Sequence, residues 1–154
     1  MAAIDFSDYS LPVLQESIEI CRAFGANLNL INIINQRDVD AIRYAEQLNT
    51  NITVKVFLQR ATQERREKIA SLLQQEKWDP TDARVVIKAG VPFEQIIRAV
   101  KEQDVDLLVM GPKGRGNLAS VFFGTTAEKM FRHCPVSLLS VRDNGDNDRN
   151  RMKS

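Results

Sequence analysis

Short apolar runs of strand length alternate with segments of helical periodicity along this chain of 154 residues. The runs are Ala2 to Ile4, Asn27 to Ile34, Arg84 to Lys88, Val105 to Met110 and Val136 to Val141. Val105 to Met110 is almost continuously apolar, which is typical of a parallel strand that is covered on both faces. Strands that alternate with helices indicate parallel βαβ units with right-handed crossovers. The sequence therefore predicts an α/β fold with a single doubly wound, Rossmann-like parallel sheet of five strands.

Residues that favour helix boundaries separate these runs. Ser10 is predicted to cap the first helix, and Gly25 ends it. Pro92 opens a later helix, because proline is tolerated in a first turn. Pro135 ends the last helix, which is predicted over Ser120 to Cys134.

The middle of the chain has a less certain pattern. Gln36 to Thr50 is mostly polar with an unclear period, and a helix from Val39 to Leu48 is one interpretation. Ile52 to Val56 alternates like a strand, yet it continues without a breaker into the helical periodicity of Arg60 to Gln75. We expect one long helix there.

Length and composition predict a single domain over residues 1–142, followed by a tail. A chain of 17.4 kDa is within the usual range for one domain. Residues 143–154 are polar except for Met152, and so short a polar segment cannot form a core. We expect residues 143–154 to be a disordered polar tail.

Charge and apolar content exclude several classes of partner. The 21 Lys and Arg nearly cancel the 20 Asp and Glu, so no overall field attracts nucleic acid or anionic lipid. No apolar run approaches the ~20 residues that a membrane helix needs, and the first residues do not resemble a signal peptide. Cys21 and Cys134 have no metal-ligand spacing, which fits reduced thiols. We expect a cytoplasmic protein that binds neither nucleic acid nor membrane.

The loop after the fourth strand carries the strongest signal for chemistry. Gly111, Gly114 and Gly116 leave the backbone free to turn sharply and to approach a ligand. Lys113 and Arg115 add cations beside them. In open α/β sheets, ligands bind beyond the carboxyl ends of the strands, where this loop lies. The alternative is a tight strand-to-helix turn with solvated cations.

Gly124, Thr125 and Thr126 extend this signal toward the last helix. Backbone N–H groups at a helix N-terminus, together with threonine hydroxyls, favour phosphate. The P-loop pattern is absent. Gly114 to Ala119 matches the GxGxxA dinucleotide pattern, but it lies past its strand and in the last βα unit instead of the first, which disfavours that interpretation.

The spacing Gly111-x2-Gly114-x9-Gly124-Thr125 resembles the nucleotide-binding signature of the universal stress protein family. The resemblance extends over nearly the whole chain and implies the Rossmann-like fold that this family shares with adenine nucleotide alpha hydrolase-like proteins. Further matching segments are Ile4 to Ser7, Asn32 to Ile34, Gly90 to Pro92, Asp106 to Gly111 and Cys134 to Val136.

The resemblance implies that an adenine nucleotide lies across the carboxyl ends of the first and fourth strands. By this resemblance Asp5 and Ile33 would contact adenine, and Gly111 would contact the ribose region. An alternative for Asp5 is a cap of the following turn, formed with Ser7 and Asp8. The implied ligand is ATP, or else ADP or AMP, with Mg²⁺ or Mn²⁺ bound only through the phosphates.

The same resemblance implies that the phosphates would be bound by Gly114, Gly124 and Thr125. Thr125 replaces the more frequent serine and keeps its hydroxyl. Pro112 is a departure from the family, because it removes one backbone N–H beside the first glycine.

Three functions therefore stay open at this point. The first is a regulatory module of the stress response that binds ATP, hydrolyses it slowly or not at all, and acts as a homodimer or through another protein. Pairing of the last strand, Val136 to Val141, would form the dimer. The second is an interaction protein of the same fold that binds no nucleotide. The third is a weak nucleotide hydrolase, for which the sequence offers no catalytic residues.

Overall fold

The computed structural model describes residues 1–48, 53–114 and 124–142. Their five strands form one parallel sheet in the order β3-β2-β1-β4-β5. The strands are β1 (Ala2–Ala3), β2 (Leu28–Asn35), β3 (Ala83–Gly90), β4 (Leu107–Met110) and β5 (Ser137–Ser140). From the central β1 the chain runs outward to β3 and then crosses to β4 and β5 on the other side. The predicted five-stranded parallel α/β fold is confirmed.

In the same described residues, five α-helices accompany the strands, and a short 3-10 turn at Pro80–Asp82 precedes β3. None of the helices in the described ranges is long and apolar enough to cross a membrane. The helices are α1 (Ser10–Phe24), α2 (Gln36–Gln47), α3 (Val54–Gln75), α4 (Pro92–Glu102) and α5 (Thr125–His133).

The core has a main cluster on each face of the sheet, and β2 contributes to both. Successive side chains of a strand point to opposite faces, so Leu30 and Ile31 enter different clusters. Leu30 packs in the cluster that holds Leu14 of α1 and residues of α3. Ile31 packs in the cluster that holds Met130 of α5 and residues of α4. β2 is therefore buried on both faces, as its apolar sequence indicates.

The uncertain middle of the chain forms two helices. The side chain of Asn35 caps α2 by accepting the Arg37 N–H at 3.0 Å. The hydroxyl of Thr53 caps α3 by accepting the Val56 N–H at 3.2 Å. The expected long helix is confirmed from Val54 onward, and the alternating pattern there does not form a strand.

Two predicted helix starts differ from the structure. Tyr9 occupies the cap position of α1, so Ser10 is the first helical residue and not the cap. The last helix begins at Thr125 and not at Ser120, because Gly124 is extended, with φ −72° and ψ 154°. Ser120 itself lies outside the described residues.

Neither cysteine is in a disulfide. Cys21 is buried in the α1 face of the core, where it packs as a small apolar residue. Burial raises the pKa of its thiol above the ordinary value, which favours the protonated form. Cys134 is half-buried after α5.

The central strand is very short, and a side chain extends its pairing. Ala2 lies opposite Leu30 of β2 and Val109 of β4. Past the end of β1, the Ile4 N–H donates to a carbonyl of β2 at 3.0 Å. The Asn32 side-chain amide then donates to the Ile4 carbonyl at 2.8 Å, and Asn32 is only 2% exposed. Asn32 thus secures the segment that leaves β1.

We expect Asn32→Ala to lower the free energy of unfolding by about 1–3 kcal/mol, because it leaves the Ile4 carbonyl without this buried donor. Urea denaturation measures the change. Asn29→Ala, at a half-buried position of the same strand, is the control and should cost less. Equal midpoints for wild type and Asn32→Ala would contradict the role of this hydrogen bond.

Candidate functional site

A cavity of about 710 Å³ lies at the carboxyl ends of β1, β2 and β4. The strand order reverses at this point, which is where ligands bind in open α/β sheets. The cavity brings together all but one of the site residues that the sequence predicts: Asp5, Ile33, Gly111, Gly114, Gly124, Thr125 and Thr126. The remaining one, Arg115, lies outside the described residues.

Asp5 follows β1 directly, and its two carboxylate oxygens have different surroundings. Oδ1 accepts hydrogen bonds from the Ser7 N–H at 3.0 Å and the Ser7 hydroxyl at 2.6 Å. It also accepts the Ser10 hydroxyl at 3.4 Å. Oδ2 lies toward Gly114, since a β-carbon there would be 2.6 Å from it. Asp5 thus caps the turn through one oxygen while it lines the cavity, so the two interpretations of this residue are compatible.

The glycines at positions 111 and 114 lie in close contact with other residues of the chain. A β-carbon on Gly111 would lie 2.6 Å from Cβ of Tyr9, which belongs to the turn before α1. A β-carbon on Gly114 would meet Oδ2 of Asp5 at the same distance. Real β-carbons essentially never approach other atoms within 3.0 Å. Close packing therefore gives both glycines a role within the chain, whether or not they also contact a ligand.

Gly124 is different, because nothing in the described chain demands a glycine there. Its backbone is ordinary extended backbone, and a β-carbon would lie 3.5 Å from Cα of Lys113. That distance is an ordinary van der Waals contact. The Gly124 N–H donates to the Pro112 carbonyl at 2.9 Å, which brings the two ends of the loop together. Pro112 is buried and supplies the acceptor for this closure.

The first turn of α5 borders the cavity through Thr125, Thr126 and Ala127. Backbone N–H groups in a first turn have no partner within the helix, and Gly124 provides no side-chain cap. The ladder of α5 begins where the Gly124 carbonyl accepts the Glu128 N–H at 2.9 Å. Because the Gly124 N–H is already donated to Pro112, the donors for an anion begin at Thr125. Such a terminus favours negatively charged groups.

Sequence reasoning missed the contribution of α2. Asn35, Arg37 and Asp38 line the cavity at the carboxyl end of β2. The signal that could have found them is the cap: asparagine before the helix and an acidic residue in its first turn. Tyr9 also lines the cavity, and no local pattern pointed to it.

Metal ligands are not grouped in the part of the chain that the structure describes. Within residues 1–48, 53–114 and 124–142, no set of three or more His, Cys, Asp or Glu side chains could hold a metal ion. Among the described residues that line the cavity, the acidic ones are Asp5 and Asp38.

Residues 1–142 match the profile of the Universal stress protein family. The chain is 27% identical over 147 residues to universal stress protein Sll1388 of Synechocystis sp., covering 92% of this chain and 96% of that protein. It is also 27% identical over 137 residues to universal stress protein MJ0531 of Methanocaldococcus jannaschii, covering 88% of this chain and 77% of that protein.

Solved structures share the fold at lower identity. Universal stress protein UspA from Lactobacillus plantarum superposes with a TM-score of 0.71 at 18% identity, covering 91% of this chain and 94% of that one. The protein MJ0577 of M. jannaschii gives 0.70 at 21% identity, covering 93% and 94%. A universal stress protein in complex with cAMP gives 0.57 at 20% identity, covering 92% and 93%.

We expect alanine substitutions at Gly111, Gly114 and Gly124 to change the free energy of unfolding by different amounts. We expect Gly111→Ala to cost about 1–3 kcal/mol, because its new methyl meets the rigid Cβ of Tyr9. Gly114→Ala should cost less, since the end of a side chain can shift. Gly124→Ala should leave stability unchanged or raise it by up to about 1 kcal/mol, because its backbone accepts alanine. Urea denaturation measures all three, and a large loss at Gly124 would contradict this account.

Proposed function

Because this chain belongs to the universal stress protein family, we propose that it is a regulatory module that binds an adenine nucleotide in the cavity. The proposed ligand is ATP, with ADP and AMP as lesser candidates, and it is hydrolysed slowly or not at all. The observation that carries the proposal is Gly124, a glycine that the packing of the described chain does not require. It immediately precedes the helix start that lines the cavity.

The chemistry of the cavity supports a ligand that is apolar at one end and anionic at the other. Ile33 and Ile31 provide an apolar wall for a base, and Asp5 provides an acceptor for an amino or hydroxyl group. Thr125 and Thr126 provide first-turn N–H groups and hydroxyls for phosphates. The universal stress protein solved with cAMP supports the same ligand class for this fold.

The cations of the cavity support the same orientation. Lys113 lies in the loop next to the start of α5, where it would face phosphate charge. Arg115 would add a second cation in this role. Gly111 would border the ribose region, and Gly114 the phosphates. Any Mg²⁺ or Mn²⁺ would be held through the phosphates, because the described residues offer no group of three ligands.

A second candidate function is an interaction protein whose cavity takes no nucleotide. It is favoured by the packing reasons for Gly111 and Gly114, and by the hydrogen bond that occupies the Gly124 N–H. Mass spectrometry of small molecules released from the purified, denatured protein separates the candidates. Bound ATP or ADP supports the regulatory module, whereas an empty protein after incubation with nucleotide supports the second candidate.

A cytoplasmic location and the absence of nucleic-acid and membrane partners complete the proposal. They rest on the near balance of charges and on the two unpaired thiols.

We expect a homodimer that forms through β5. This strand lies at one edge of the sheet, and Leu138 and Leu139 are only half-buried on it. An edge with unpaired backbone groups and apolar side chains tends to be paired or covered. Light scattering at micromolar concentration should give twice the chain mass of 17.4 kDa. A monomer at every concentration would contradict this prediction.

We expect Gly124→Val to lower ATP affinity at least tenfold, about 1.4 kcal/mol, because a branched side chain would fill space beside the phosphates. Thr125→Ala should weaken binding less, since it removes one hydroxyl worth roughly 0.5–1.5 kcal/mol and leaves the backbone donors in place. Isothermal titration of ATP measures both variants against wild type.

Circular dichroism and the stability of Gly124→Ala serve as folding controls for this experiment. If folded Gly124→Val binds ATP as tightly as wild type does, the phosphates do not lie at this helix start. The glycine would then have no role in the binding of ligand.

A further inference from the structure

The last residue of β2 brings a polar side chain to the wall of the cavity. Ile31, Ile33 and Asn35 all line the cavity, since every second side chain of a strand lies on the same face. The two isoleucines are buried, whereas Asn35 is half-buried. The apolar wall that is proposed for a base therefore ends in a side-chain amide.

The backbone of Asn35 is fixed on two sides. Asn35 is in register with Gly90 of β3, and α2 begins at the very next residue, Gln36. Its dihedral angles, φ −62° and ψ 138°, are those of extended backbone. Both the sheet and the helix thus set the position of this side chain, with no loop between them.

The cap of α2 also orients the amide of Asn35. Oδ1 accepts the Arg37 N–H at 3.0 Å. Within residues 1–48, 53–114 and 124–142, this is the one hydrogen bond that the Asn35 side chain makes. An asparagine amide carries two N–H donors on Nδ2, and a helix cap uses only the oxygen. The donors of Nδ2 are therefore left for another partner.

The sheet order places Asn35 on the base side of the proposed ligand. β1 separates β2 from β4, so the carboxyl ends of β2 and β4 lie about 10 Å apart, which is comparable to the length of a nucleoside. The start of α5, proposed above for the phosphates, follows β4 along the chain. A nucleotide with its phosphates there extends its base toward β2.

We propose that Asn35 recognises the edge of the base, with Nδ2 donating a hydrogen bond to a ring nitrogen of adenine. Oδ1 stays with the start of α2, so the same side chain caps the helix and binds the ligand. This inference rests on the nucleotide binding proposed above.

A donor at this position selects among heterocycles. A ring nitrogen with a lone pair accepts from Nδ2, whereas a C–H group in its place leaves the donor without that partner. A site built to hydrogen-bond a ligand rejects analogues that lack the matching group more strongly than an apolar pocket rejects a missing methylene. Asn35 thus favours bases that present an unprotonated ring nitrogen toward β2.

Two substitutions remove the donor and keep the cap. Asparagine, aspartate and serine are all good helix caps, because each provides an acceptor oxygen. Asn35→Asp has nearly the same shape, but its carboxylate can only accept. Asn35→Ser is shorter, uncharged and without an amide. We expect both variants to keep the wild-type urea midpoint and to lose the hydrogen bond to the base.

The test compares ATP with 1-deaza-ATP, 3-deaza-ATP and 7-deaza-ATP, in each of which a C–H group replaces one ring nitrogen. By isothermal titration, wild type should bind one of these analogues about threefold to tenfold more weakly than ATP, which identifies the acceptor. Asn35→Asp and Asn35→Ser should bind that analogue and ATP equally. The ratio of the two affinities is the readout, because the charge that aspartate adds acts on all these ligands alike.

Thr53→Ala is the matched control, because it removes a helix cap elsewhere. The Thr53 hydroxyl caps α3 by accepting the Val56 N–H, and Thr53 is not among the described residues that line the cavity. This variant should have a lower urea midpoint and the same preference for ATP as wild type. A preference that also disappears in Thr53→Ala would overturn the inference, since it would then depend on helix stability and not on the Asn35 donor.

The outcomes separate the two proposals. If wild type binds no nucleotide, the proposed function fails and the inference fails with it. If wild type binds ATP and all three deaza analogues equally, or if both Asn35 variants keep the wild-type preference, only the inference is overturned. Nucleotide binding by the cavity would stand in both of the latter cases.

Discussion

The pairing of β1 between β2 and β4 is the constraint on which the site depends. Only Ala2 and Ala3 form this strand, yet it separates the two halves of the sheet. The segments that follow β1, β2 and β4 therefore leave one sheet edge in different directions, which opens the cavity. The bond from Asn32 to the Ile4 carbonyl extends β1 to the residue before Asp5. The buried side chain of Asn32 thus supplies pairing that the short strand lacks, and it helps to position the turn at Asp5.

The three described glycines of the loop signature follow from three different physical causes. At Gly111 the cause is the approach of Tyr9, and at Gly114 it is the approach of Asp5. At Gly124 the described chain gives no cause, because both the backbone conformation and the surrounding space accept a side chain. A sequence pattern treats these positions as equivalent, whereas the structure divides them into two glycines that pack closely against other residues of the chain and one that does not. This division is why the functional proposal depends on Gly124.

The sequence predicts the sheet and most helices because burial imposes a period on them. β2 and β4 are apolar on both faces, and α4 carries a clear apolar face. α2 buries only Val39, so few apolar residues mark its period, and only the capping pattern at its start could have indicated the cavity residues that it contributes. α5 starts after an extended Gly124 whose N–H donates to the Pro112 carbonyl, a contact that no local pattern encodes. Serine is a typical helix cap, but in the folded chain the hydroxyl of Ser10 donates to Asp5 instead.

The candidate site is assembled from segments that are distant in sequence and that meet only in the folded chain. Asp5 follows the first strand, Gly114 follows the fourth, and Thr125 begins the last described helix. A ligand that contacts all three binds the folded state and not the unfolded chain. Binding then raises the free energy of unfolding, by about 2.7 kcal/mol when free ligand is about a hundredfold above Kd. Under the proposed function, occupancy of the cavity would therefore stabilise the sheet edge at which Asp5, Gly114 and Thr125 meet, and this coupling would be a physical means of regulation.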